Sequence, residues 1–225
     1  EEGLSATGMT DRVSWGLYIS NFTFLVGVAA AAVMLVLPAY VLKNIDFKQA
    51  VLIGEGLAVS ALLMCLAFVV ADMGGPARLW HMIPIIGVFN FPNSMLAWDV
   101  IVLNGYLFIN ITIPLYILIM RYQGKTPNPK IYIPGVFLSV FWAVGIHMVT
   151  AFLYQGLQAR PFWNNALLGP RFLASAFAAG PALIIIVLAI IRKFTAFKVP
   201  DNTIKKISMI VTVAAQINLI MLISE

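Results

Sequence analysis

Charge is scarce in this sequence. Only 10% of its 225 residues are Asp, Glu, Lys or Arg, against 61% hydrophobic residues, and the mean hydropathy is +0.95. A water-soluble domain carries roughly 25% charged residues, so this chain cannot cover itself for water. Cysteine is almost missing: Cys65 stands alone inside an apolar stretch. One thiol holds neither an iron–sulfur cluster nor a disulfide framework, and its plain reading is a small buried apolar residue. The two histidines, His81 and His147, fall in different elements. That argues against a bis-His haem and excludes a two-haem arrangement in this stretch. Clustered metal ligands, a Walker loop, a dinucleotide fingerprint and a nucleophile motif are absent as well. Lys and Arg outnumber Asp and Glu 14 to 9. They form no basic run with interleaved aromatics, so nucleic acid is not an expected partner.

What the chain does have is apolar runs. A spanning helix needs about 20 mostly apolar residues, and six stretches qualify: Ser14–Leu42, Gln49–Ala71, Met95–Met120, Tyr132–Leu157, Arg171–Ile191 and Thr203–Ser224. The expected fold is an all-α integral membrane protein, a polytopic bundle of about six helices surrounded by lipid. Residues 1–225 read as one transmembrane domain with no soluble part. The sequence does not open on Met and stops at Glu225 on an apolar run, which reads as a piece of a longer protein. Asp46 with Gln49 reads as a capping box. Pro134 and Pro170 fall near expected helix starts, where a missing N–H costs little. Gly180-Pro181 predicts a kink in the fifth span. The small residues from Gly27 to Ala32 predict a close helix–helix contact.

Lys and Arg set the expected orientation. Ten of them lie in or beside the connections after spans one, three and five, against four (Arg12, Arg78, Arg160 and Arg171) on the opposite side. The positive-inside rule puts the ten-residue side in the cytoplasm. The connection around Asp72–Asn93 then lies outside. It is too apolar for a solvated loop and reads as interfacial or re-entrant, the first place to look for a site.

Polar groups at membrane depth are costly and mark function. Asn21 in the first span, Asp72, Arg78 and His81 at the end of the second, Asp99 opening the third and His147 in the fourth all fall in the outer half. Donors, an acid–base group and apolar walls together suit a quinone head group. Each residue also has a plainer reading. His147 and Asn21 can be structural hydrogen-bonding groups, Arg78, Trp80 and Arg160 interface anchors, and Asp72 with Arg78 a local ion pair. Glu55, in the inner third of the second span, is a candidate for a proton path with Asn104 or Asn110.

Three segments resemble a known family. Trp15-Gly16 with Phe24-Leu25-Val26-Gly27-Val28-Ala29-Ala30 is similar to the opening helix of NrfD/polysulfide-reductase membrane subunits. Asp72-Met73-Gly74-Gly75-Pro76-Ala77-Arg78-Leu79-Trp80-His81 resembles the family's D-L-G-R-P-x-R-x-x-H segment, with Gly75 where a basic residue is usual. Ala159-Arg160-Pro161-Phe162-Trp163-Asn164 resembles its A-R-P-x-W-N signature. His147 to Tyr154 and Gly169 to Phe177 are closer still to the branch found in DsrMKJOP-type complexes of sulfate-reducing and sulfur-oxidising prokaryotes.

The resemblance implies a subunit of about ten helices in a prokaryotic cytoplasmic membrane, part of a quinone-linked oxidoreductase of dissimilatory sulfur metabolism. It implies menaquinone bound near the periplasmic face, with no haem or iron–sulfur cluster on this chain. A ferredoxin-like iron–sulfur subunit would dock outside, with haem-containing subunits elsewhere in the complex. Carried onto this sequence, the quinone site comprises Asn21, Asp72, Arg78, His81, His147 and Tyr154, with Asp72, His81 and His147 exchanging protons. The rival readings are a secondary transporter, for which no internal repeat is visible, and a purely structural membrane anchor.

Overall fold

The computed structural model describes residues 3–10, 12–13, 15–42, 44–48, 50–157, 160–197 and 199–225. Gln49, and with it the Asp46–Gln49 capping box, lies outside them, as do Lys43, Ala159 and Lys198. The described residues form helices and turns without strands, and six spans are long and apolar enough to cross a membrane. The first is composite: α1 (Leu17–Ala29), α2 (Ala31–Val36) and a π turn at Leu37–Val41. A short α3 (Ile45–Lys48) leads to α4 (Val51–Asp72). Then follow α5 (Met95–Tyr122), α6 (Pro129–Gln155), α7 (Leu168–Phe194) and α8 (Asp201–Ser224). At about 1.5 Å per residue, 22 to 28 residues give rods of about 33 to 42 Å, ample for a hydrocarbon core of about 30 Å. The chain is a multi-pass membrane protein.

Local chemistry explains the helix ends. Ser94 caps α5 by accepting from the Ala97 N–H, and Asn128 caps α6 by accepting from the Lys130 N–H. Pro129 opens α6, which therefore starts three residues before the expected Tyr132 and leaves Pro134 inside the helix rather than near its start. Pro170 is the third residue of α7, and that helix runs through Pro181 to Phe194.

The first span is interrupted at Ala30, which an apolar count does not reveal. There the Val33 N–H turns to the Ala30 carbonyl, and the Ala29 carbonyl accepts instead from the Tyr106 hydroxyl of α5 at 3.4 Å. A freed backbone carbonyl at membrane depth needs such a partner. Close packing at the small residues is as expected. Val28, Ala29, Ala30 and Ala32 are fully enclosed, and a Cβ built on Gly27 would lie 3.6 Å from Ala176 Cα in α7. Cys65 is buried with its thiol toward the Phe22 carbonyl at 3.6 Å. Phe108, Phe141, Ile190 and Ile220 face outward, as lipid-facing side chains do.

Helix parity gathers the connections at two ends. At one, Lys206 of α8 sits over the Phe47 ring of α3, 5.8 Å from its centroid. At the other, which we call the Asp72 end, the Arg160 guanidinium donates to the Arg12 carbonyl at 2.6 Å and stacks 5.7 Å from Trp163. Arg160 thus pins two connections together.

Candidate functional site

At the Asp72 end the sequence-predicted residues divide between two cavities and the surface. The first cavity, of about 260 Å³, lies among α1, α4, α5 and α6. Trp15, Ile19, Phe22, Val69 and Leu153 give it apolar walls, and Asp72 and Asp99 are its two acids. Asp72 is the last residue of α4, and its Oδ1 is enclosed without a hydrogen-bond partner. Asp99 lies one turn into α5, is fully buried, and accepts from Thr150 Oγ1 of α6 at 2.9 Å. One acid is therefore held by a neighbouring helix, and the other keeps an oxygen available to a bound molecule.

Tyr154 lines neither cavity and stands behind Trp15. Its ring packs against Trp15, Trp163 and Phe172 at 5.0, 5.2 and 5.4 Å. Its hydroxyl bonds to Thr23 Oγ1, which itself donates to the Ile19 carbonyl. The Ala159–Asn164 segment contributes Trp163 to this aromatic box, stacked 5.6 Å from Trp15.

The second cavity, of about 310 Å³, lies on the other side of α1, among α1, α6, α7 and α8. His147 lines it at 1% exposure, with Nδ1 at 2.6 Å from the Ala143 carbonyl of its own helix and Nε2 enclosed without a hydrogen-bond partner. Arg171 and Asn218 also line it, and each has an enclosed unpartnered atom, Nε and Oδ1. Asp72 and His147 therefore belong to separate cavities.

The remaining predicted residues stand apart from both. Asn21 turns its amide to the Leu17 carbonyl at 2.9 Å and lines neither cavity. Arg78 is exposed beside Leu4, Met73, Gly74 and Gly75, and among the described residues no ion pair joins it to Asp72. His81 is exposed and stacked on Trp80 at 3.9 Å. It sits on a 3₁₀ turn, Pro76–Met82, that leads into Ile83, Ile85, Ile86 and Val88, all exposed. The expected cover over this connection is not supplied by the described residues.

Glu55, 3% exposed, lies toward the opposite end with Oε2 unpartnered and within electrostatic reach of Arg121. Asn110 is buried and donates to the Tyr106 carbonyl at 2.8 Å. Asn104 is exposed and bonded within its own helix, so it is not a neighbour of Glu55 in the bundle interior. Among the described residues no three His, Cys, Asp or Glu side chains gather as a metal site requires. A wider groove of about 600 Å³ beside α7 and α8 is lined by Met148, Leu173, Phe177, Met209 and other apolar side chains.

The residues missed at sequence level are Asp99's partner Thr150, and Arg171 and Asn218. Asn218 carried a usable signal, a side-chain amide inside an apolar span. Arg171 was counted only as an end charge.

This arrangement has relatives. A selenate reductase subunit from Mesobacillus selenatarsenatis is 26% identical over 258 aligned positions, covering all of this chain and 59% of that protein. The Hdr-like menaquinol oxidoreductase integral membrane subunit of Archaeoglobus fulgidus is 23% identical over 207, covering 92% of this chain and 50% of that protein. A putative dimethyl sulfoxide reductase membrane subunit from Halobacterium salinarum is 24% identical over 213, covering 88% and 48%. The chain thus spans about half the length of the curated relatives it matches. The family model described as polysulphide reductase, NrfD, matches residues 5–224, from before α1 to the end of α8, and the chain belongs to that family.

Proposed function

We propose that this chain is the quinone-binding membrane subunit of a respiratory oxidoreductase, with the ring held in the Asp72–Asp99 cavity. The observation that carries this reading is the unpartnered Asp72 oxygen in an apolar-walled space shared with a second acid. A quinone ring needs apolar walls and a group that hydrogen-bonds or exchanges protons at its oxygens. Asp72 supplies that group, Trp15 and Phe22 supply aromatic wall, with Tyr154 packed behind Trp15, and Asp99 with Thr150 fixes the floor. The substrate is menaquinone, in keeping with the menaquinol oxidoreductase named among the relatives. In this reading the membrane is the prokaryotic cytoplasmic one, and the positive-inside rule turns the Asp72 end to the periplasm. Electrons pass between the ring and an iron–sulfur subunit docked on that face, in a DsrMKJOP-like complex of sulfur metabolism that also contains haem subunits.

The break at Ala30 is the one observation that favours a transporter, since transporters build ion sites from interrupted helices. The two readings part on one experiment. Leu153→Trp fills the first cavity from α6. The purified full-length complex carrying it should assemble and lose bound quinone and quinol-linked reduction together. Wild-type quinone content in that variant would overturn the placement.

A further inference from the structure

We propose that α5 carries a self-association face, on which Asn104 pairs with Asn104 of a second copy of this chain. The proposal does not depend on where a quinone sits.

Asn104 is an amide that lipid cannot satisfy. It lies about five residues from the middle of the 28-residue α5, roughly 7 Å along the axis and well inside a hydrocarbon core of about 30 Å. Its neighbours in the chain fix the direction it faces. Leu103 and Tyr106 are enclosed on the inner side of α5, and Gly105 is pressed against the Trp142 ring of α6. Asn104 is left exposed on the outer side. Its Nδ2 donates to the Val100 carbonyl of its own helix at 2.8 Å. The second N–H and the side-chain oxygen have no partner among the described residues. Polar groups facing hydrocarbon are costly, and amides within spans offset that cost by bonding across helices.

The outward face around Asn104 has the form of a helix–helix seam. Ile101, Asn104, Phe108, Ile111, Leu115 and Leu118 are all exposed, and they recur at alternating steps of three and four residues. That is the repeat of two helices packed at a shallow left-handed crossing, and one polar residue in such a seam sets its register. Thr112 beside the seam spends its hydroxyl on the Phe108 carbonyl at 2.8 Å. Asn104 is therefore the polar group left for recognition, and the seam holds no charge that would call for an opposite one.

A second copy fits this chemistry. The spare N–H carries partial positive charge and the spare oxygen partial negative charge. Two copies of one membrane protein share an orientation, so a two-fold axis along the membrane normal sets their α5 helices parallel. Each Asn104 then places its N–H against the other's oxygen. The two reciprocal bonds use what the Val100 contact leaves over, and the apolar seam residues pack against their own counterparts.

The test is oxidative crosslinking in native membranes of the full-length protein, co-expressed as two differently tagged copies in a cysteine-free background. Single cysteines at Phe108 and Ile111 should give crosslinked dimers that carry both tags. Cysteines at Ile190 of α7 and Ile220 of α8, equally exposed to lipid, should not. Asn104→Leu should reduce the Ile111 crosslink and the co-purification of the two tags about ten-fold, on the scale of one interhelical hydrogen bond in lipid. Asn104→Gln, which keeps a donor and an acceptor, should retain most of both. Recovery of the Asn104→Leu chain with its other subunits reports that it is folded. Crosslinks equally strong at Ile190, crosslinks to a different polypeptide, or a dimer unchanged in Asn104→Leu would each overturn the proposal.

Discussion

Thr150 of α6 donates a 2.9 Å hydrogen bond to Asp99 of α5, and both residues are fully enclosed in the bundle. The pair ties two helices at the floor of the first cavity. Thr150→Val keeps the shape and removes the donor, leaving an enclosed carboxyl oxygen unpaired at a cost of about 1–3 kcal/mol. Asp99→Asn retains an acceptor for the same hydroxyl and should lose less. Thermal denaturation in detergent ranks the two, and a Thr150→Val protein as stable as wild type would show that the bond contributes nothing.

The α5–α6 seam has a second pinch point. A Cβ at Gly105 would fall 2.3 Å from Trp142 Cζ2, and the indole N–H is already committed to the Val102 carbonyl at 2.7 Å. The ring cannot retreat without breaking that bond. Gly105→Ala should therefore destabilise the bundle by about 1–3 kcal/mol. The loss should shrink in a Trp142→Phe background, giving a non-additive cycle. Additive losses would mean that the two residues do not press on one another.

Much of this was legible in the sequence because lipid leaves few options. Backbone groups must pair internally, so six apolar runs could only be six helices, and their bounds came out within a few residues. The interruption at Ala30 was not legible, because the freed Ala29 carbonyl is met by a hydroxyl from Tyr106, seventy-seven residues away. The cavities were half legible. Asp72 and His147 stood out as polar groups at membrane depth, but rotation about the helix axis decides which cavity each lines. One position on α1 separates the two sides: Phe22 lines the Asp72 cavity, and Thr23 the His147 cavity. Spacing in the chain placed His81 near Asp72, yet the 3₁₀ turn carries it to the surface.

The orientation is testable without the rest of the complex. Ten Lys and Arg against four predict that Gly124 faces the cytoplasm while Gly75 and Asn165 face outward. Single-cysteine variants at these positions, in a background lacking Cys65, should be blocked from outside by a membrane-impermeant thiol reagent only at 75 and 165. Labelling of position 124 in sealed cells would reverse the orientation and move both cavities to the cytoplasmic side.

Histidine geometry predicts the optical spectrum. His147 turns Nδ1 to its own helix, while His81 is exposed on the surface stacked on Trp80, so the two rings cannot face one iron. The isolated subunit should show no Soret band, and a reproducible b-type spectrum from it alone would refute this.

The sharpest contrast lies between two residues nine positions apart. Asp72 ends α4 with an enclosed, unpartnered oxygen lining the first cavity, and His81 lies outside that cavity on an exposed turn. If the ring sits in that cavity, Asp72 is within reach of its oxygens and His81 is not. Quinone reduction takes up two protons and quinol oxidation releases them, so losing a positioned acid–base group costs about a hundred-fold or more. Asp72→Asn preserves size and hydrogen bonding but cannot exchange a proton in the same way. It should assemble with its partners and lose quinol-linked turnover by that factor, with little change in the amount of complex. His81→Ala should keep turnover within about two-fold, since an exposed side chain outside the cavity seldom alters more than local packing. Steady-state quinol oxidation by the purified complexes, normalised to assembled protein, reads both. Wild-type turnover in Asp72→Asn, or a hundred-fold loss in His81→Ala, would move the chemistry from the cavity to the exposed connection.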